Sequence, residues 1–255
     1  MRASNVPQRG FTLIELLVAL AIGLFLLEGL VTLEQSMRRT YGAQTNLAQL
    51  QDDQRFALNV LGEVIEETGY FPDPTANTAV TAFPTAGAFA STQAITGTYS
   101  AVPPGDTIAV RYLVAPANPN SVLTINCTGG TNGTGANLLY TNVFSVNPGN
   151  AAAGIPPSLQ CTPDGGVTAP VTLVNNVTNL EIWYGVKTNA AVTTNNIDSY
   201  LRANVMTAAN WMNVTSVKVR LTFNNPLAGQ PGQPATLQIT RIIAVMLRAA
   251  EKNGP

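Results

Sequence analysis

Few side chains in this 255-residue chain could carry chemistry, and histidine is not among them. Ser-His-Asp and Cys-His catalysis, histidine-containing zinc sites and imidazole proton shuttles are therefore excluded. Asp106, Asp164 and Glu181 could supply the carboxylate pair that glycoside hydrolysis requires. Turn positions suit both aspartates better, however, and a solvated strand face suits the glutamate. With no recognisable catalytic constellation, the reading is a protein that is not an enzyme and holds no cofactor or metal. Cys127 and Cys161 lie at the edges of polar, glycine-rich segments. In an oxidising compartment such a pair reads as one disulfide bond; two buried thiols are the other reading, and no histidine is present to activate either.

Glu15 is the acid whose position is hardest to explain. It lies in FTLIELLVALAIGLFLLEGLVTL, 23 residues from Phe11 to Leu33, long enough to cross a hydrocarbon core as a helix. A carboxylate there costs about 2.5–3.5 kcal/mol even on a lenient insertion scale, so something should compensate for it. Cutting the chain between Gly10 and Phe11 would create a terminal ammonium group four residues before Glu15. One subunit's carboxylate could then pair with a neighbour's ammonium where water is scarce, which would be an assembly device. A secretory signal peptide would also account for the small-residue Ala19-Leu20-Ala21, but the apolar run is too long and Glu15 interrupts it. A plain membrane anchor has no use for the acid.

Arg9-Gly10-Phe11-Thr12-Leu13-Ile14-Glu15-Leu16 resembles the type III signal of type IV pilins and type II secretion pseudopilins. The resemblance implies that a prepilin peptidase cuts after Gly10, that Phe11 is N-methylated, and that Glu15 guides subunit docking. Arg55–Gly62, Thr68-Gly69-Tyr70, Gly105–Tyr112, Asn179–Val186 and Trp211–Val219 look like blocks of PilW-type minor pilins. That likeness implies a subunit that joins other minor pilins and the major pilin in a complex priming pilus assembly, seated at the tip, with a tip adhesin as a further partner. A minor pseudopilin of type II secretion is the alternative. Before assembly the subunit would be single-pass in the inner membrane with a periplasmic head, and afterwards part of an extracellular pilus used for twitching motility, adhesion or DNA uptake.

The elements that must position these residues follow from periodicity. Leu47, Leu50, Ala57, Leu58, Leu61, Val64 and Ile65 repeat at helical spacing, and Gly69 followed by Pro72 stops the helix. We expect a leader at residues 1–10, a long helix over 11–69 whose first part, 11–33, lies in membrane or filament core, and a β-rich head over 70–255. Gly23, Gly29 and Gly42 are places where the helix could bend. The stretch from Gly69 to Gly105 reads as loop. Strand-like runs follow at Thr107–Val114, Ser121–Cys127, Leu138–Val146, Val177–Val186, Val214–Phe223 and Ala235–Leu247, the last changing phase near Arg241 as at a β-bulge. Asp198–Trp211 reads as a short helix between strands. With no long helix between the runs, the fold class is α+β: one long helix on an antiparallel sheet.

Charge narrows the partners. Charged residues make up 11% of the chain, against about a quarter in ordinary soluble domains. Only Asp73, Asp106, Arg111 and Asp164 are charged between Tyr70 and Leu180, and the net charge is −1. Losing Arg2 and Arg9 with the leader makes the side-chain charge −3. Such a head has no basic field for phosphates, so no direct nucleic-acid site is expected. The Asn-X-Thr sequons at Asn126, Asn132, Asn176 and Asn213 are expected by chance in so Asn- and Thr-rich a chain.

Overall fold

The computed structural model describes residues 10–117, 124–189 and 196–245. The leader up to residue 9, the first three residues of the run at 121–127 and the last two of the run at 235–247 lie outside the described residues.

Helix α1 spans Leu13–Glu66 and contains Gly23, Gly29 and Gly42 without interruption. No proline occurs between Pro7 and Pro72, and leucine, alanine and long straight side chains dominate, so the helical hydrogen bonds meet no breaker. The helix ends where Gly69 turns left-handed (φ 85°) and its N–H donates to the Arg111 carbonyl at 3.0 Å.

Two compact units divide the chain between Gln49 and Leu50. In the first, every large apolar side chain from Phe11 to Leu33 is at least 50% exposed. Among the described residues, α1 alone is long and apolar enough to cross a membrane.

The second unit is α+β. Leu50, Ala57, Leu58, Leu61, Val64 and Ile65 form the buried stripe of the last part of α1. They share one hydrophobic core with strands of two sheets. In the first sheet β1 (Ile95–Thr98), β2 (Thr107–Val114), β3 (Leu138–Asn147), β4 (Ser158–Thr162) and β5 (Val171–Asn175) pair in chain order. In the second, β6 (Val177–Val186), β7 (Ser199–Leu201), β8 (Ser216–Asn224) and β9 (Thr236–Ala244) are ordered β7-β6-β8-β9. Every pairing is antiparallel. Alternation does the sorting: Val217, Val219, Leu221 and Phe223 of β8 point into the core while Lys218 and Arg220 point away.

The sheets are joined twice. Asn176, one of the few residue types that tolerates a left-handed backbone, links β5 to β6 at φ 65°. Gly105 forms a parallel bridge with Leu180, and its φ of 96° and the Leu180 carbonyl against it leave no room for a Cβ. Asp106, next along, accepts from the backbone N–H of Ser100 at 2.9 Å and of Ile182 at 2.7 Å.

Several details differ from the expectations. The stretch from Gly69 to Gly105 contains helix α2 (Ala79–Ala82) and β1, held down by Arg111 of β2. This fully buried guanidinium donates to the carbonyls of Gln93 (2.7 Å), Pro84 (2.6 Å) and Ala90 (3.0 Å) and lies over the Phe89 ring. Residues 198–211 hold β7, a 3₁₀ turn and helix α3 (Ala208–Trp211). The β8–β9 register runs through Arg241 with no bulge. Arg241 instead keeps its inward position and reaches the Leu58 carbonyl of α1 at 3.1 Å, while Ile242 faces out. Of the run at 121–127, the described part forms one isolated bridge, Ile125 with Thr131.

Candidate functional site

The N-terminal segment is built from Thr12 upward. Thr12 precedes the first helical residue, and its hydroxyl accepts from the Glu15 N–H at 3.3 Å. The Glu15 carboxylate reaches back to the Thr12 N–H at 3.4 Å. This reciprocal pair is a capping box, which satisfies two of the N–H groups a helix start leaves unpaired. Glu15 also stands in the first turn, where the helix dipole favours an anion. Gly10 and Phe11 lie just ahead, both exposed, and Phe11 is 86% so. The second acid of the apolar stretch, Glu28, uses its backbone carbonyl to accept from Thr32.

In the head, Cys127 and Cys161 form a disulfide. It ties the loop after residue 124 to β4, and a buried polar chain supports it. Asn142 of β3 accepts from the Cys127 N–H at 2.9 Å and donates to the Tyr112 hydroxyl at 3.1 Å, which donates to the Ile125 carbonyl at 2.6 Å. Burial, with the Glu67 carboxylate nearby, pushes the Tyr112 hydroxyl well above the usual tyrosine range. Glu67 itself is raised to about 7, by desolvation first and then by Glu63.

The three candidate carboxylates do not converge. Asp106 is buried and ion-paired to Arg202 at 3.0 Å, and Glu181 meets the same arginine at 3.4 Å. Glu181 is bidentate to Arg220, at 2.7 Å for each oxygen, which holds its carboxyl below the usual range. Asp164 stands apart, opening a 3₁₀ turn after β4 and accepting from Thr168. Arg202, Lys218 and Arg220 stack around the Trp183 ring at 4.5–4.9 Å. Asp106 and Glu181 are matched by Arg202 and Arg220, so the arrangement is a cross-linked strand surface.

Sequence reasoning missed the capping box, although Thr12-Leu13-Ile14-Glu15 carries its signature. Glu67 and Arg111 had no such local signal, because the groups that bury them come from distant segments.

A membrane-length helix that opens at a Gly-Phe junction and passes into a disulfide-linked antiparallel head defines a pilin-like subunit. Residues 143–240, from the middle of β3 to β9, match the family of type IV pilus-assembly protein W, PilW. Residues 6–27 match the prokaryotic N-terminal methylation motif. Together the two matches support a type IV pilin-like minor pilin. A search of curated proteins matched nothing.

Proposed function

We propose that prepilin peptidase cuts this chain between Gly10 and Phe11, that Phe11 is then N-methylated, and that Glu15 docks the subunit on a neighbour's terminal ammonium. The mature protein acts without catalysis: it joins other minor pilins and the major pilin in a complex that primes pilus assembly and sits at the tip, where an adhesin can join it. The observation that carries this reading is the exposed Gly10-Phe11 junction ahead of an apolar helix that is uncovered on every side and carries Glu15 in its first turn. Such a helix needs lipid or other helices around it. The Glu15 carboxylate stays local in the single chain, bonded to Thr12, and a cation brought to it in an apolar setting would compete strongly for the same oxygens.

Mass spectrometry of sheared, washed surface filaments tests the proposal. Head peptides together with a chain start at N-methylated Phe11 are expected. Processed protein confined to the inner membrane would favour a secretion pseudopilin instead, and an intact Met1 start in cells with active peptidase would overturn the reading.

A further inference from the structure

A groove of about 550 Å³ opens in the head between the last turns of α1 and the disulfide-linked loop. Its walls are apolar: Phe56, Val60 and Val64 of α1, Ile125 beside the disulfide, and Val171 and Leu173 of the edge strand β5. Phe56, Ile125 and Val171 are 51%, 38% and 43% exposed and form an uncovered apolar rim around the groove. Two acids, Glu63 and Glu67, line the same groove, and among the described residues no cation does. The Glu67 Oε2 atom is buried and has no hydrogen-bond partner among the described residues. Neither acid takes part in an ion pair there, whereas Asp106 and Glu181 both do. A carboxylate oxygen withdrawn from water and left unmatched is unfavourable until a donor arrives.

Apolar walls around an unmatched negative group are complementary to the reverse pattern, a positive side chain framed by apolar ones. We propose that this groove docks a segment of a neighbouring pilin-like subunit that presents one lysine or arginine among apolar side chains, the cation meeting Glu67 and the apolar residues covering Phe56, Ile125 and Val171. This inference rests on the assembly role proposed above and adds to it a particular surface and the chemistry of its occupant.

The test places the photo-crosslinker benzoylphenylalanine at Phe56 of the full-length chain in cells that build filaments. Ultraviolet light should give an adduct to one pilin-like subunit, and sequencing of the joined peptide should find a lysine or arginine within a few residues. Glu67→Lys should lower the adduct yield at least tenfold, and changing that partner base to glutamate should restore it. Oxidation of Cys127 and Cys161 in each variant checks that the head has folded. An adduct without a nearby base, an adduct to a second copy of this chain, a yield indifferent to Glu67→Lys, or no protein adduct overturns the proposal. Filament incorporation of the wild-type chain is scored in parallel. Normal incorporation with any of those adverse results removes the groove and leaves the assembly role standing, whereas absence from filaments and from pilin complexes removes both.

Discussion

Replacing Glu15 by glutamine separates two things its carboxylate can do. Glutamine also serves at the third position of a capping box, so Glu15→Gln should keep the helix start while removing the charge. Incorporation into filaments should fall as far with Glu15→Gln as with Glu15→Leu, measured as the ratio of pilus-associated to membrane protein; normal incorporation of either variant would exclude docking by charge. Glu67 presents the opposite case. Its folded value of about 7 lies above the ordinary 4.5, so the folded protein holds this proton more tightly than the unfolded chain does. Burial of Glu67 is therefore neutral below about pH 4.5, costs more as the pH rises from there to about 7, and stays costly above that. Glu67→Gln should stabilise the folded protein at pH 8 by on the order of 1 kcal/mol once half-exposure is allowed for, read as a higher melting temperature, with the gain shrinking toward pH 4.5. An equal gain at both ends of that range would reject desolvation of the charged carboxylate as the cause.

Among the elements, the disulfide and Arg111 hold segments with little regular structure of their own. Closing a loop over a sequence separation of 34 residues stabilises by about 4 kcal/mol in the chain-entropy model. Reduction, or Cys127→Ser with Cys161→Ser, should lower stability by about that much in urea unfolding, and thiol titration of the unreduced, unfolded protein should find no reactive thiol. Arg111→Met should leave the carbonyls of Pro84, Ala90 and Gln93 without their donor, at a cost of about 3 kcal/mol. Limited proteolysis should then cut first within residues 83–93. The elements that could be read in advance were those whose burial follows a simple period: α1, β2, β3, β6, β8 and β9. Strands β1, β4 and β7 escaped because they are three to five residues long and rich in Thr, Ser, Gln or Gly. β5 escaped because its edge position leaves its valines unevenly covered. The phase change near Arg241 suggested a bulge because arginine was assumed to face water, whereas α1 supplies it a carbonyl.

At the scale of the whole molecule, the head holds together through the seam between its two sheets. Asp106, 1% exposed in its side chain, binds both sides of that seam and Arg202 as well. Asp106→Ala should destabilise the head by about 3 kcal/mol, since it takes from Arg202 the nearer of its two carboxylates and leaves the Ser100 and Ile182 N–H groups without this acceptor, and the change is read from denaturant unfolding of the full chain in detergent. The N-terminal stretch has the reverse property. From Phe11 to Leu33 it is apolar on all sides, so no face is marked as inner or outer. A subunit alone among acyl chains and one walled in by other helices meet the same oily surroundings, and passage between the two exchanges neighbours without changing the medium. Glu15 and Glu28 are the only charged side chains in that stretch. With the terminal ammonium that cleavage would create at Phe11, they are the charges that can register which host surrounds the helix, so any preference for one host over the other that arises in this stretch through charge rests with these three groups.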